Sequence, residues 1–241
     1  MIFLRSLVFN AWFYAITAAM LLFLCLPRLL LGTLGPEQAC DIARNWARLV
    51  LAGLRLICGT TYVVTGQEHL PDGAPAVIAS MHQSAFDSVV WLLLVQRPCY
   101  VLKRELMLIP LFGTICRHAG MISVDRAAGA RAIRDLMRDA DRAVAEQRQI
   151  IIFPEGTRIA PGRLGPLQPG IAALAARTKL PVIPIAIDSG FVWGRRAFRK
   201  LPGLIHVAIQ PALPTDLPRA ALLPALEAAF TRGAAALPRS L

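Results

Sequence analysis

The sequence predicts an α/β fold: a mixed, mostly parallel β-sheet flanked by helices and preceded by an N-terminal pair of membrane-associated helices. From Thr60 onward, short β-rich apolar runs alternate with helical stretches, the pattern of a sheet buried on both faces. The first 26 residues contain an apolar run of bilayer length. With 241 residues, of which 56% are hydrophobic, the chain fits one full-sized domain plus a short extension. We place the boundary after residue 59, which gives helices in 1–59 and an α/β domain in 60–241.

The N-terminal run, residues 6–26, is broken only by Ser6, Asn10 and Thr17. About 20 helical residues span roughly 30 Å, the thickness of a bilayer core. A signal peptide is the alternative, but the run ends in Leu24-Cys25-Leu26-Pro27, which offers no small-x-small cleavage site. We therefore expect a retained anchor, which either crosses the bilayer or dips into one leaflet.

A second helix is predicted between Gly35-Pro36 and Gly59. Its apolar residues recur every fourth position, at Trp46, Val50 and Leu54. Another face carries three arginines, at positions 44, 48 and 55. This amphipathic pattern is typical of a helix in a membrane interface, and equally of a core helix with a solvated basic face. The apolar helix before it favours the membrane.

The remaining elements follow from hydrophobic periodicity and turn residues. We predict strands at residues 61–65, 76–80, 100–103, 121–124, 150–153, 182–187 and 205–209. We predict helices at residues 86–95, 105–118, 128–147, 169–178 and 219–233.

The charge and the cysteines narrow the class of partner. The formal net charge is +11, and a basic, apolar protein is expected at an anionic membrane surface. Nucleic acid would fit the charge but not the apolar excess, and no nucleic-acid-binding module is visible. The five cysteines are odd in number and widely spaced, which predicts neither a disulfide framework nor a zinc site. We expect membrane lipids as partners and no bound metal.

Residues 82–87 read HQSAFD and follow the predicted strand 76–80. The junction of strand and helix is the usual place of ligands in open α/β sheets. Residues five apart do not meet on a helix, so His82 can touch Asp87 only by preceding the helix, with Ser84 as its N-cap. Asp87 then fixes the tautomer of His82 and leaves the other ring nitrogen to take a proton. The alternative is a core histidine beside a helix-end charge.

The nucleophile is not supplied by an obvious motif, because the chain has no GxSxG elbow. We expect a hydroxyl of the substrate to attack, and a covalent route through Ser84 or Ser88 stays open. The other histidines, His69, His118 and His206, lack suitable neighbours in the sequence and are predicted to be structural.

Residues 153–158 read FPEGTR and follow the predicted strand 150–153. Gly156 allows close approach of the backbone, Thr157 offers a hydroxyl, and Arg158 can hold a phosphate with two parallel hydrogen bonds. Glu155 either orients Arg158 or binds a substrate hydroxyl. Lys103 and Arg126 lie at the ends of two further strands. If these strands are parallel neighbours, the two charges lie at the same edge of the sheet as His82. An ordinary polar turn with solvated charges is the alternative.

A basic and aromatic stretch, residues 191–200, combines Phe191, Trp193 and Phe198 with four cationic side chains. It is a candidate for membrane contact and equally for a basic surface loop.

Taken together, these motifs resemble the 1-acyl-sn-glycerol-3-phosphate acyltransferase family of bacterial membranes. The match is carried in order by HQSAFD at 82–87, KREL through IPLFG at 103–113, GMISVDR at 120–126, FPEGTR at 153–158 and LPVIP at 180–184. It covers roughly residues 60–210, with Met81 and Ser123 as small departures. The N-terminal helix pair resembles the family's membrane-seating element.

The resemblance implies an activity and its residues. His82, oriented by Asp87, would deprotonate the sn-2 hydroxyl of a lyso-lipid acceptor, 1-acyl-sn-glycerol-3-phosphate. That oxygen would attack the thioester of acyl-CoA or acyl-carrier protein, and phosphatidic acid would result. The acceptor would be held by Lys103, Arg126, Glu155, Gly156, Thr157 and Arg158. It further implies no cofactor and no metal, and a catalytic domain facing the cytoplasm at the inner membrane.

Three other functions stay open. Within the same class, the acceptor is another lyso-lipid, such as lyso-ornithine lipid or a lysophospholipid. A lipid esterase or thioesterase would use water, but lacks the expected serine elbow here. A non-catalytic lipid-binding protein would not need the pair formed by His82 and Asp87.

Overall fold

The computed structural model describes residues 1–238, apart from the side chain of Arg126. In this part of the chain, seven strands form one sheet in the order β1-β7-β6-β2-β5-β3-β4. The strands are β1 (Thr60–Thr65), β2 (Ala76–Ser80), β3 (Pro98–Lys103), β4 (Ile122–Val124), β5 (Gln149–Ile152), β6 (Val182–Ile187) and β7 (Gly203–Ile209). All neighbours are parallel except β6 and β7, so β1 and β7 run opposite to the other five strands. The mixed, mostly parallel sheet is confirmed.

Helices flank this sheet. They are α1 (Ile2–Ala19), α2 (Leu26–Leu30), α3 (Pro36–Gly53), α4 (Phe86–Leu94), α5 (Phe112–His118), α6 (Ala130–Ala145), α7 (Gly170–Thr178) and α8 (Arg219–Ala236). Wider π-type turns join α1 to α2 and prolong α3 to Cys58. Gly59 then ends the helix with a φ of 73°, a left-handed conformation that glycine adopts without steric cost.

The first helical stretch, Ile2–Leu30, is long and apolar enough to cross a bilayer by length and composition, with a mean hydropathy of 1.9. It nevertheless packs on one face against α3 and the α/β domain. Phe9 is fully buried, and its ring meets Trp193 edge-to-face at 5.5 Å. The Trp46 indole donates to Thr17 Oγ1 at 2.9 Å. The opposite face exposes large apolar side chains, among them Phe3, Leu4, Leu7, Val8 and Phe23.

The apolar stripe of α3 faces protein. Val50 and Leu54 are buried in the same hydrophobic core as the strands, and Trp46 packs against that core. The core-helix interpretation therefore holds for this stripe, and the membrane-interface interpretation is wrong for it. Because the N-terminal helices share the core of the sheet, the boundary after residue 59 is not a gap between two separate cores; the division into 1–59 and 60–241 stays a prediction.

One predicted helix, residues 105–118, is interrupted. A short 3₁₀ turn, Arg104–Leu108, is followed by Pro110 and Leu111, and α5 starts at Phe112. Proline lacks the backbone N–H that a helix interior needs, and Leu111 adopts a φ of 63°, outside the helical region. The other predicted strands and helices of the α/β domain agree with the structure to within three residues at each end.

Candidate active site

The two sequence blocks meet at the carboxyl edge of the sheet. Strands β2, β5, β3 and β4 are parallel neighbours, so the residues that follow them collect at one rim. Ala79 pairs with Ile152, which places His82 level with Glu155 three residues further on. Two hydrogen bonds join the blocks. His82 N donates to the Glu155 side chain at Oε2, 2.7 Å away, and the N–H of Ile159, directly after the second block, donates to His82 O at 2.8 Å.

His82 and Asp87 form the predicted pair. Helix α4 begins at Phe86, so Asp87 lies in its first turn and His82 precedes it. Nδ1 of His82 lies 3.1 Å from Asp87 Oδ2. The same oxygen accepts from the backbone N–H groups of Gln83 and Ser84, at 2.6 and 2.7 Å. Asp87 is fully buried, and these donors hold it in one orientation.

Ser84 does not cap the helix as predicted. The residue before α4 is Ala85, and the Ser84 hydroxyl instead accepts from Phe86 N at 3.1 Å. Ser84 is fully buried, and its own N–H donates to Asp87 Oδ2.

Ser189 completes the surroundings of Asp87. Its hydroxyl donates to Asp87 Oδ1 at 2.5 Å, so both carboxylate oxygens are engaged. The turn that carries it is fixed by Gly190 N, which donates to Gln83 Oε1 at 3.1 Å. Ser189 and Gln83 are not among the predicted site residues. Their role depends on β6 lying beside β2, and strand order is not visible in the sequence.

Nε2 of His82 is available to accept a proton. The imidazole stacks on the Phe153 ring, with centroids 4.1 Å apart and planes 20° from parallel. With Nδ1–H donating to Asp87, Nε2 carries the lone pair, and no described side chain hydrogen-bonds to it. The side chain is 14% exposed, enough for a small group to reach it. This arrangement can take a proton from a hydroxyl.

Glu155 is buried between the two blocks. Oε2 accepts from His82 N, and Oε1 accepts from Gly165 N at 3.4 Å. Burial raises the pKa of Glu155 to about 7, and the negative charge of Asp87 adds to this, while the two amide hydrogen bonds oppose it. The carboxyl thus bonds to backbone amides rather than orienting Arg158. Its predicted contact with substrate stays a prediction.

The proposed phosphate-binding groups lie on the same rim. Gly156 turns with a φ of 70°, and Thr157 is half-buried beside it. Arg158 is also half-buried, and this burial lowers the pKa of its guanidinium despite the opposing charge of Asp87. Lys103 ends β3 and is exposed. The side chain of Arg126 lies outside the described part of the structure, so its predicted role stays a prediction, as do those of the other four.

A second His–Asp pair corrects the prediction that His206 lacks suitable neighbours. Nδ1 of His206 lies 2.7 Å from Asp188 Oδ2, and His206 N donates to Asp188 Oδ1 at 2.7 Å. Within residues 1–238, no three His, Cys, Asp or Glu side chains gather where they could hold a metal ion.

The fold and the site define an α/β enzyme with a carboxylate-oriented histidine, poised to activate a hydroxyl. The chain belongs to the acyltransferase family, whose model matches residues 61–188. The family resemblance drawn from the motifs is confirmed.

Named relatives agree with this assignment. Over 172 residues, the chain is 36% identical to the 1-acyl-sn-glycerol-3-phosphate acyltransferase of Pseudomonas aeruginosa, covering 71% of this chain and 66% of the relative. Over 171 residues it is 30% identical to the human 1-acyl-sn-glycerol-3-phosphate acyltransferase alpha, covering 70% of this chain and 60% of the relative. The matched stretch therefore spans somewhat less than two thirds of these relatives.

A solved structure shares the fold over nearly the whole chain. It is the crystal structure of the 1-acyl-sn-glycerophosphate (LPA) acyltransferase, PlsC, of Thermotoga maritima, with a TM-score of 0.79 and 21% identity. The match covers 98% of this chain and 97% of that one, so the N-terminal helices are included.

Proposed function

We propose that the protein transfers a fatty acyl group from acyl-CoA or acyl-carrier protein to the sn-2 hydroxyl of 1-acyl-sn-glycerol-3-phosphate, giving phosphatidic acid. The observation that carries the proposal is the geometry of His82, with Nδ1 held by buried Asp87 and Nε2 without a hydrogen-bond partner among the described side chains. The activities named for the relatives support this choice of substrate.

The reaction follows from that geometry. Nε2 of His82 removes the proton of the sn-2 hydroxyl while its oxygen attacks the thioester carbonyl. The tetrahedral intermediate collapses, the C–S bond breaks, and the thiolate takes the proton back from the imidazolium. Asp87 stabilises the imidazolium through Nδ1 in both steps. General-base assistance of this kind contributes about 10²–10⁴-fold.

Positively charged residues at the carboxyl edge of the sheet bind the acceptor phosphate. Arg158 and Lys103 supply charge, Arg126 follows β4 at the same edge, and Thr157 and Gly156 supply a hydroxyl and a close backbone. The thioester is already activated, so the proposed reaction uses no metal and no cofactor.

We place the protein at the inner membrane, with the α/β domain facing the cytoplasm. One face of α1 is packed on that domain and the other exposes apolar side chains. A helix attached in this way along its length fits one leaflet better than a full crossing, because a crossing would carry the domain into the bilayer core.

The test is a product assay. Purified protein, labelled acyl-CoA and 1-acylglycerol-3-phosphate are expected to yield labelled phosphatidic acid. His82→Ala is expected to form it about 10²–10⁴-fold more slowly, while the protein stays folded by circular dichroism. A panel of acceptors, including lyso-ornithine lipid and lysophospholipids without a phosphate monoester, defines the acceptor. Free fatty acid as the sole product would overturn the transferase assignment.

A further inference from the structure

We propose that the connection between β6 and β7, residues 188–202, is a second membrane contact that binds anionic lipid head groups beside the active site. This proposal rests on the proposed function, because an enzyme acting on lipids works at a membrane surface. It is tested by measuring membrane contact and not turnover, so a failed membrane contact can be distinguished from a failed acyltransferase assignment.

The charge of this connection is not balanced locally. Arg195, Arg196 and Arg199 are exposed, and no Asp or Glu occurs in residues 189–215. None of the three forms an ion pair within the described residues. The arginines of α6 provide the contrast: Arg131 and Arg138 both pair with Asp135, at 3.7 and 3.3 Å. Unpaired basic side chains at a surface attract anionic head groups.

The connection is fixed to the first helix. The Phe198 ring contacts the Phe3 ring, with centroids 5.1 Å apart. Lys200 N donates to Ser6 Oγ at 3.0 Å, and Lys200 Nζ donates to Asn10 Oδ1 at 2.5 Å. Lys200 is itself buried, so it fastens the connection to the helix and is not one of the lipid-binding charges. The connection is therefore held against the first helix.

Apolar side chains continue from the helix onto the connection. Phe191 and Phe198 are 51% and 42% exposed, and Phe3 and Leu4 on the helix are 59% and 63% exposed. Exposed aromatic and aliphatic groups next to arginines are the composition of a surface that sits at the boundary between head groups and acyl chains. An acidic protein partner would match the arginines but would leave the adjoining apolar helix face uncovered.

The contact also lies next to the candidate site. Arg195 Nη1 donates to the backbone oxygen of Arg158 at 3.4 Å, so the connection borders the phosphate block. Binding of head groups here would hold the rim that carries His82 at the level of the lipid phosphates.

Site-specific fluorescence tests the proposal. All five native cysteines are buried, so Phe198→Cys can be labelled selectively with a polarity-sensitive dye in the full chain. In vesicles of phosphatidylcholine and phosphatidylglycerol, we expect quenching of this dye by brominated lipids. The matched control is Arg134→Cys, an exposed position on α6, where little quenching is expected. Equal quenching at the two positions would overturn the proposal.

A charge-matched pair of variants tests the head-group contact. Arg196→Gln/Arg199→Gln, combined with Phe198→Cys, is expected to weaken binding of the connection to phosphatidylglycerol vesicles by roughly fivefold per arginine, since each basic residue contributes about 1 kcal/mol. Pure phosphatidylcholine should remove the difference. Arg131→Gln/Arg134→Gln removes the same charge from α6 and should have no effect. If both pairs behave alike, or if the connection binds acyl-carrier protein and not vesicles, the proposal is wrong.

Discussion

The molecule contains two His–Asp pairs with similar local geometry and different surroundings. Nδ1 of His82 lies 3.1 Å from Asp87, and Nδ1 of His206 lies 2.7 Å from Asp188. Both histidine side chains are 14% exposed, and both carboxylates are buried and accept backbone N–H groups. Distance and burial alone would not tell which pair can act as a base.

The surroundings make the distinction. Asp188 accepts from both the ring and the backbone N–H of His206, so this pair joins the end of β6 to β7. The carboxylate of Asp87 instead accepts hydrogen bonds from the loop before α4 and from Ser189. His82 lies beside Arg158, which is half-buried, and beside Glu155, whose pKa is raised by burial. His82 is the candidate base of the two histidines because charged side chains that can bind a substrate lie beside it.

The largest expected effect separates the two pairs. His82→Ala should lower kcat about 10²–10⁴-fold, because it removes the proton acceptor. His206→Ala should change kcat by no more than about threefold, but it should lower stability by about 1–3 kcal/mol, because the buried Asp188 loses the hydrogen bond from the His206 ring. Initial rates and thermal unfolding measure both. A comparable loss of kcat in the two variants, with both proteins folded, would contradict the assignment of catalysis to His82 alone.

The next effect concerns the pH dependence of stability. Because the folded protein raises the pKa of Glu155 to about 7, it holds a proton that the unfolded chain releases near pH 4.5. Stability should therefore fall as the pH rises from about 4.5 to 7, by up to about 3 kcal/mol. Glu155→Gln should remove this part of the change between pH 5 and pH 8 in thermal unfolding. The exposed Glu227→Gln should leave the profile as in the wild type, and an unchanged profile in Glu155→Gln would refute the assignment.

A smaller effect is expected for the phosphate contact. Arg158→Gln should lower kcat/KM about 10–100-fold for an acceptor with a phosphate monoester, since charge-assisted hydrogen bonds contribute about 1.5–3 kcal/mol. An acceptor without that group should be affected much less. Arg163→Gln, an exposed position in the same loop, is the control. An equal loss for both acceptors would remove Arg158 from phosphate binding.

The smallest effect is expected for Ser189, which acts through Asp87. Ser189→Ala should lower kcat about tenfold with little change in KM, because Asp87 loses the donor to Oδ1 and its orientation toward His82 loosens. Ser189→Thr keeps the hydroxyl and should recover most of the activity. The NMR signal of the His82 Nδ1 proton should shift in Ser189→Ala. A variant with lower kcat and an unshifted signal would assign Ser189 a different role.

Sequence reasoning reached some of this site and not the rest, for physical reasons. The approach of His82 to Asp87 depends on six consecutive residues and a helix start, which are local. The approach of Ser189 to Asp87 joins positions 102 residues apart and depends on strand order. The break at Leu111 was not predicted, although Pro110 lies directly before it. The sequence also left open whether protein or membrane covers the apolar stripe of α3. As for Ser189, the answer depends on which distant residues pack there, and an apolar pattern does not show this.

The reversed direction of β1 and β7 determines where the first helices arrive. Thr60 pairs with Gly203, so both strands start at the edge where β2 and β6 end. The helical segment 1–59 therefore enters the sheet on the side of His82, and not on the far side, as it would if β1 ran with the majority. For the proposed substrate, the route is short: a lyso-lipid can offer its glycerol to the imidazole while its hydrocarbon tail is still solvated by neighbouring lipids.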